Sequence, residues 1–354
     1  MPVDETPLAR RLRLLGPADG AGELGGPGET GDVPVREATA AWVRGALDGG
    51  LLDLPLPGGG RTVERFAALA QIGATDLDVA RLAEAHADAQ AILAELAPDL
   101  LGADEQRRRL WGVWAANPPQ DPLAAHRVSG GWVLQGTKPW CSGAGCCDAA
   151  LVTAQADDGY RLFAVALDGV TSRPVEGTWP ARSMRGSDSR SVQFLAAPAN
   201  EVGGPEDYLQ RPGFWHGAVG VAAVWLGGAS GVFAAVRRAH GRRPLHPHAL
   251  AHAGAIDALL AAAQALLDQA GADIDDDPRD SRATAAVTAR RVRAVVERSA
   301  AEVMDRVGRA LGPAPLAQHR DHSKRVGDLE LYLRQGHAEL DLEELGRQIL
   351  ETGL

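Results

Sequence analysis

The sequence is poor in cysteine, methionine and aromatic residues. Cysteine occurs only 3 times in 354 residues, at Cys141, Cys146 and Cys147. An odd number of cysteines within one loop does not suit a disulfide framework and favours a reducing compartment, so we predict a cytoplasmic protein. No histidine or second cysteine pair lies nearby to complete a zinc site. We therefore predict three thiols and no metal.

The sequence also lacks an excess of positive charge. Its net charge is -10 at pH 7, whereas a nucleic-acid-binding domain shows a basic stripe and a high isoelectric point. Hydrophobic residues make up 45% of the chain and charged residues 23%, which indicates a folded protein with more than one core. We predict small-molecule or protein partners and no nucleic acid.

A secretory signal is not found, because the N-terminal sequence MPVDETPLARRLRLLG has no long apolar core. Residues 213–236, GFWHGAVGVAAVWLGGASGVFAAV, carry no Asp, Glu, Lys or Arg and are long enough to cross a bilayer. The stretch is rich in glycine, and we find no second span to partner it. We predict a helix buried inside a helical bundle, and no membrane.

The chain changes character twice along its length. Residues 1–34 are rich in Gly and Pro and are predicted to be irregular. Helical spacing follows, as in the apolar positions Leu82, Ala85, Ala89 and Leu93. The runs WVLQG, AALVTAQ, YRLFAVAL and SVQFLAA are typical of short strands, and helical patterns return after them.

The predicted fold class is therefore α+β with three parts. They are an N-terminal α-helical domain (1–108), a central small β-domain (109–212) and a C-terminal domain like a four-helix bundle (213–354). In the last part, a valine stripe formed by Val292, Val295, Val296, Val303 and Val307 predicts a packed helix.

Two polar segments with glycines stand out in the β-region: GTKPWCSGAG, residues 136–145, and RGSDSR, residues 185–190. By itself, the first segment predicts a tight turn with a core tryptophan. The second segment by itself predicts a polar hairpin turn. Together with the order of the parts, the RRPLHPHALAHAGAIDALL helix and RALGP, they resemble the acyl-CoA dehydrogenase family. The resemblance extends from about Leu51 to the end of the chain.

This resemblance implies a flavoprotein that binds FAD. In the family, the tryptophan of the first segment, here Trp140, packs against the isoalloxazine ring, and the hydroxyl two residues later, here Ser142, bonds flavin N5. A hydrogen-bond donor aimed there stabilises the charge that develops during hydride transfer. The second segment implies a substrate pocket that includes Ser187, Asp188 and Arg190. The family's Thr-Glu-Pro segment appears here as GVWAANPPQ, so Trp114 and Asn117 alter the near side of the flavin pocket, and Trp114 is also a candidate for the substrate pocket.

The family's phosphate contacts are only partly matched. Arg242 or Arg243 takes the position of an arginine that reaches the FAD pyrophosphate of a neighbouring subunit, although the next residues are Pro, Leu and His. Arg309 and Gly312 replace a Gln-x-x-Gly-Gly segment that approaches the adenosine diphosphate part of FAD. The proline after Gly312 removes a backbone N–H that the family uses. Arg309 is either a phosphate ligand or a surface residue.

The largest departure concerns the catalytic base. The family abstracts a proton next to a thioester carbonyl with a glutamate, and its usual position falls here at Gly336. The neighbouring His337 is our candidate for the proton acceptor, because imidazole is mostly neutral at cytoplasmic pH. His216 is a second titratable candidate for the pocket. A lone histidine is more often structural than catalytic.

The resemblance predicts α,β-dehydrogenation of a small-molecule acyl thioester, either acyl-CoA or a carrier-bound acyl group, with an unidentified electron acceptor. Two alternatives stay open because the glutamate is missing. A flavin monooxygenase on the same fold needs no such base, and a non-catalytic partner subunit needs none either. The apolar C-terminal helices predict a homodimer or homotetramer.

Overall fold

The computed structural model describes residues 29–101, 108–116 and 122–353. The described helices are α1 (Glu29–Asp48), α2 (Thr62–Thr75), α3 (Leu77–Leu96), α4 (Pro98–Leu101), α5 (Asp207–Gln210), α6 (Pro212–Arg242), α7 (Pro247–Asp276), α8 (Ala285–Leu311), α9 (Ala314–Gln318), α10 (Arg320–Leu333) and α11 (Glu339–Thr352). The described strands are β1 (Trp111–Trp114), β2 (Ala124–Val128), β3 (Gly131–Lys138), β4 (Ala149–Ala156), β5 (Gly159–Ala166), β6 (Ser172–Val175) and β7 (Ser191–Val202).

Helices before and after a run of strands confirm the predicted α+β class. The described strands all lie inside the predicted β-domain, between Trp111 and Val202, while the domain limits at 108 and 212 stay a prediction. The prediction of irregular structure up to residue 34 is wrong for its last part, because α1 begins at Glu29. The Gly and Pro residues of this stretch do not prevent the helix, because Val35, Trp42, Val43 and Ala46 of α1 are buried at helical spacing.

The described chain divides into two compact units. The sheet unit comprises residues 29–54 and 81–214. The helical unit comprises residues 55–80 and 215–353.

In the sheet unit, strand pairing closes a ring. The hydrogen-bonded order is β1-β4-β2-β3-β7-β5, and β4 also pairs with β5, so that β4, β2, β3, β7 and β5 form a closed circuit. Aromatic side chains fill the interior: Trp114 lies edge-on to Phe194, and Trp132 lies edge-on to Phe163. A closed ring of short strands leaves few edges for unwanted pairing. This rigid frame carries the two polar segments.

In the helical unit, α6 is the central helix, as its composition predicted. A Cβ at Gly227 would collide with the carbonyl of Ala70, and one at Gly73 would come within 2.5 Å of the Val224 carbonyl oxygen. The glycines therefore let α2 and α6 pack with their backbones close together. In α8 the predicted valine stripe is buried except for Val295, which is 39% exposed.

By length and composition, both α6 and α7 are long and apolar enough to cross a membrane. The most apolar window of α6 is 89% buried in the protein, which is typical of a core helix. In α7 only 17% of that window is buried. The sequence pattern predicted only the first of these two helices as a stretch of membrane-spanning length.

Candidate functional site

The turn after β3 places Trp140 and Ser142 in contrasting environments. Trp140 has a left-handed backbone with a φ of 57° and is 57% exposed, whereas Ser142 is 5% exposed. A positive φ is uncommon for a residue with a side chain. The Ser142 N–H donates to the Trp140 carbonyl at 3.1 Å, which keeps the turn tight. The turn thus projects an indole beside a buried hydroxyl.

Backbone hydrogen bonds join this turn to the RGSDSR segment. The N–H groups of Cys141 and Gly143 donate to the carbonyls of Arg190 and Ser187, at 2.9 and 2.8 Å. The Ala144 N–H donates to the Asp188 carbonyl at 3.2 Å. The structure therefore brings together the two segments that carried the family resemblance, although they are more than forty residues apart in sequence.

An ion pair fixes the RGSDSR segment from inside. Arg190 binds Asp188 through Nε at 2.5 Å and through its terminal nitrogen at 2.9 Å. Asp188 also accepts the Gly145 N–H at 2.7 Å. A Cβ at Gly145 would lie 2.7 Å from the Asp188 carboxylate, which explains this glycine. Asp188 and Arg190 were predicted to line a substrate pocket, but here they bind each other and clamp the turn.

Three serine hydroxyls form a chain that ends at the turn. The Ser142 and Ser189 hydroxyl oxygens are 2.8 Å apart, and those of Ser189 and Ser187 are also 2.8 Å apart. Ser187 donates to the Met184 carbonyl at 2.7 Å. All three serines are at most 6% exposed. Ser142 and Ser187 were predicted as site residues from the sequence, but Ser189 was not. The alternation of Ser and Asp in SDS is the sequence feature that could have indicated it.

Trp114 supports the turn from the core. Its indole N–H donates to the Ser142 carbonyl at 2.9 Å, and a Cβ at Gly112 would lie 2.7 Å from the indole nitrogen. Trp114 is 1% exposed. Trp114 was predicted to line a substrate pocket, and that role stays a prediction; its ring lies in the hydrophobic core of the sheet unit. Asn117, named with it, lies outside the described residues.

The strand before the turn ends in a buried lysine. The Lys138 ammonium donates to the Thr153 carbonyl at 2.7 Å and to the Thr153 hydroxyl at 2.9 Å. Burial lowers the pKa of Lys138 to about 8, although the nearby Cys141 opposes this shift. Burial also raises the pKa of Cys141 above that of a free thiol. A thiol held protonated in this way is a poor nucleophile, which agrees with structural cysteines. Among the described residues, no cluster of potential metal ligands is found.

The predicted catalytic base is not in a pocket environment. His337 lies in the loop between α10 and α11, and its side chain is 73% exposed. The backbone N–H of His337 donates to the Asp341 carboxylate at 3.1 Å, and the imidazole Nδ1 lies 3.8 Å from the same carboxylate. The helix α10 ends at Leu333, before Gly336, and His337 is exposed to solvent just before α11, so its role as the proton acceptor stays a prediction.

His216 lies elsewhere, in the helical unit. It is 4% exposed and lines a small pocket formed by the start of α6, the end of α7 and the start of α8, with Trp215, Asp273 and Thr288 among its neighbours there. Burial and position are consistent with either a pocket role or a structural role.

The predicted phosphate ligands are on the surface of the helical unit. Arg242 and Arg243 are exposed at the end of α6. Arg309 is 65% exposed and forms an ion pair with Asp305 at 2.8 Å. Gly312 ends α8 with a φ of 70°, and its N–H donates to the Gly308 carbonyl. The helix C-cap explains this glycine without a ligand.

No protein-family model matches the sequence, and no curated protein matches it. Solved structures do share its fold. Dibenzothiophene monooxygenase TdsC from Paenibacillus sp. A11-2 is 19% identical, with a TM-score of 0.74 over 97% of this chain and 95% of that one. Methanesulfinate monooxygenase MsuC from Pseudomonas fluorescens is 20% identical, with a TM-score of 0.73 over 98% and 97%.

KijD3, solved with FMN and a dTDP-linked amino sugar, is 18% identical, with a TM-score of 0.74 over 98% of this chain and 94% of that one. TdsC has also been solved with FMN. At these identities the likeness establishes architecture. The chain has the acyl-CoA dehydrogenase-like fold that these structures share.

Proposed function

We propose that the protein is a flavin-dependent monooxygenase that adds one oxygen atom to a small organic substrate. The observation that carries this proposal is the missing proton acceptor. The resemblance leaves Gly336 in the position of the family's glutamate, and the adjacent His337 is 73% exposed. Oxygen transfer does not require removal of a proton next to a thioester carbonyl, so the monooxygenase alternative is favoured over the dehydrogenase.

The chemistry of the turn fits a flavin ring. Trp140 offers an exposed apolar face, which suits stacking on a planar ring. Ser142 offers a hydroxyl held by the serine chain, and the Asp188–Arg190 pair holds the backbone behind it. A reduced flavin supplies the two electrons that convert dioxygen and substrate into water and the oxygenated product. In this proposal the residues of the turn position the ring.

We propose FMN as the flavin, in place of the FAD that the family resemblance implies. Two features weaken the case for an adenosine diphosphate site: Arg309 is paired with Asp305, and Pro313 has no N–H to offer. FMN in the structures of TdsC and KijD3 is in line with this choice. Arg242 and Arg243 stay candidates for the phosphate group.

The test consists of three measurements on the purified protein. FMN or FAD is first titrated under anaerobic conditions, and we expect FMN to bind at least as tightly as FAD. Acyl-CoA compounds of several chain lengths are then added to the protein with oxidised flavin, and we expect no bleaching of the flavin absorbance. Finally, reduced FMN is mixed with aerated buffer, and we expect the protein to change the rate of flavin reoxidation.

Bleaching by an acyl-CoA would restore the dehydrogenase function. Absence of binding by any flavin would instead favour the non-catalytic partner subunit. Arg242→Ala combined with Arg243→Ala is expected to weaken FMN binding if these side chains reach the phosphate. Unchanged affinity in this double variant would exclude that contact.

A further inference from the structure

Two neighbouring cysteines in the loop between β3 and β4 have no part in the proposed function. Cys146 and Cys147 are free thiols. A Cβ at Gly143 would lie 2.5 Å from the Cys147 sulfur and 3.6 Å from the Cys146 sulfur, so both sulfurs face the same glycine. The N–H groups of both cysteines also donate to the Gly143 carbonyl, at 3.0 and 2.9 Å. The loop therefore holds two thiols close together.

The two thiols differ in exposure. Cys147 is 9% exposed, whereas Cys146 is half-buried. Hydrogen bonding to the Cys146 thiol, together with burial, raises the pKa of Cys147 well above its ordinary value. The thiolate is the nucleophilic form of cysteine, so Cys147 is a poor nucleophile at neutral pH. A reagent that comes from solvent therefore meets Cys146 first.

Two arginines lie near Cys146. The Arg44 guanidinium donates to the Cys146 carbonyl at 3.1 Å, and both Arg44 and Arg190 are close enough to attract a thiolate on Cys146. Asp148 and Asp188, which bind these two arginines, partly offset that attraction. An accessible cysteine beside positive charge and a second cysteine is the arrangement typical of thiols that react reversibly with oxidants.

We propose that Cys146 and Cys147 form a redox-reactive dithiol, which hydrogen peroxide oxidises to a disulfide between the two residues. In the first step the Cys146 sulfur attacks a peroxide oxygen, the O–O bond breaks and water leaves, so that Cys146 becomes a sulfenic acid. In the second step the Cys147 sulfur bonds to the Cys146 sulfur, and the hydroxyl leaves with the Cys147 hydrogen as a second water. The two thiols lose two electrons, which the peroxide gains.

The source of the oxidant rests on the proposed function. A reduced flavin that reacts with dioxygen without oxygenating a substrate yields hydrogen peroxide. The dithiol follows Ser142 by only a few residues, on the loop that is proposed to hold the flavin ring. It is therefore close to the place where such peroxide forms.

The disulfide formed in this way is easily reduced again. The Cα atoms of neighbouring residues are about 3.8 Å apart, whereas a disulfide usually joins Cα atoms that are about 4.4–6.8 Å apart. The bond between Cys146 and Cys147 is therefore strained, and strained disulfides are more readily reduced than relaxed ones. A thiol such as glutathione restores the pair, so the oxidation is reversible in a reducing compartment.

The test treats the purified full chain with hydrogen peroxide, blocks the remaining thiols with iodoacetamide and measures the masses of its peptides. We expect the loss of two of the three thiols, and a peptide containing both cysteines that is lighter by two hydrogen atoms. Dithiothreitol should restore both thiols. In Cys147→Ser the Cys146 sulfenic acid should persist and react with dimedone. In Cys146→Ser the buried Cys147 should keep its thiol.

Cys141→Ser is the matched control. Cys141 is a buried thiol of the same loop that donates to the Lys138 carbonyl, so its replacement should leave the loss of the other two thiols unchanged. Three results on the wild type would overturn the inference. They are intact thiols after peroxide treatment, irreversible oxidation of Cys146 without a disulfide, and a disulfide that joins two chains on a non-reducing gel.

A second probe tests whether the two sulfurs can act together. Phenylarsine oxide, a trivalent arsenical, bonds to two neighbouring thiols at once. One equivalent should protect Cys146 and Cys147 of the wild type from iodoacetamide, and it should protect neither single variant. Equal labelling of the wild type with and without the arsenical would overturn the inference. These measurements need no flavin site, so absence of flavin binding would refute the proposed function alone.

Discussion

At the scale of single residues, two tryptophans near the turn have opposite roles. Trp114 is buried and donates its indole N–H to the Ser142 carbonyl, whereas Trp140 is 57% exposed. Trp114→Phe removes this donor and leaves the carbonyl unsatisfied. We expect a loss of about 1–3 kcal/mol in the free energy of unfolding, measured by urea unfolding followed by far-ultraviolet circular dichroism.

Trp140→Phe is the matched control for that prediction. Its side chain is exposed, so the free energy of unfolding should change by no more than about 0.5 kcal/mol. Flavin binding should weaken instead, because the stacking surface is smaller. Equal destabilisation by the two substitutions would contradict the roles assigned to the two tryptophans.

A second residue-scale prediction concerns the clamp between the two segments. Asp188→Ala leaves the guanidinium of Arg190 without its buried carboxylate partner, and the Gly145 N–H without its acceptor. Because Glu176 remains paired with Arg190 in this variant, we expect a cost of about 1–3 kcal/mol, that of unsatisfied buried hydrogen-bonding groups. The melting temperature should fall accordingly. Glu176 also contacts Arg190 but is 57% exposed, so Glu176→Gln should cost far less.

At the scale of elements, α3 and α10 meet at a lysine surrounded by carboxylates. The Lys324 ammonium lies 3.2, 2.8 and 2.7 Å from Asp76, Asp78 and Asp328. The nearby Arg325 guanidinium adds a second positive charge, but two cations do not neutralise three carboxylates. Burial, opposed by Lys324 and reinforced by the charges of Asp328 and Asp76, raises the pKa of Asp78 to about 7. The folded protein therefore holds a proton that the unfolded chain releases near pH 4.

Because the folded state binds more protons in this window, the free energy of unfolding falls as pH rises from about 4 to about 7. Asp78→Asn has no such proton to lose, so its stability relative to the wild type should rise by about 1–3 kcal/mol between about pH 5 and pH 8. Urea unfolding at the two pH values measures this. Asp321→Asn, an exposed site on α10, should show no such difference, and a pH-independent effect of Asp78→Asn would contradict the shared proton.

At the scale of the whole molecule, α7 offers an uncovered apolar surface. Its exposed stripe consists of small and apolar residues at helical spacing: Leu250, Ala251, Gly254, Ala258, Ala261, Ala262 and Ala265. Asp257 is the exposed charge at the edge of this stripe, and its small and apolar residues suit close packing against an identical helix. We propose a homodimer or homotetramer that uses this face.

Leu250→Arg places a charge in the stripe and should shift the assembly towards the monomer, as measured by light scattering at micromolar concentration. Leu350→Arg is the matched control, since Leu350 is an exposed leucine on α11, outside the stripe. It should leave the assembly unchanged. A monomeric wild type would refute the proposed assembly. Loss of the assembly in both Leu250→Arg and Leu350→Arg would contradict the assignment of the interface to the α7 stripe.

The sequence by itself determined the order of helices and strands, the central position of α6 and the two segments of the candidate site. These features depend on local spacing and composition, which the sequence displays directly. It did not determine which tryptophan is buried, how the serines connect or that His337 faces solvent. Those outcomes depend on contacts between distant parts of the chain, such as Ser142 with Ser189 and Trp114 with Ser142. The closed ring of strands fixes the distances between the two segments and thereby the contacts of the serines and tryptophans. The end of α10 fixes the exposure of His337.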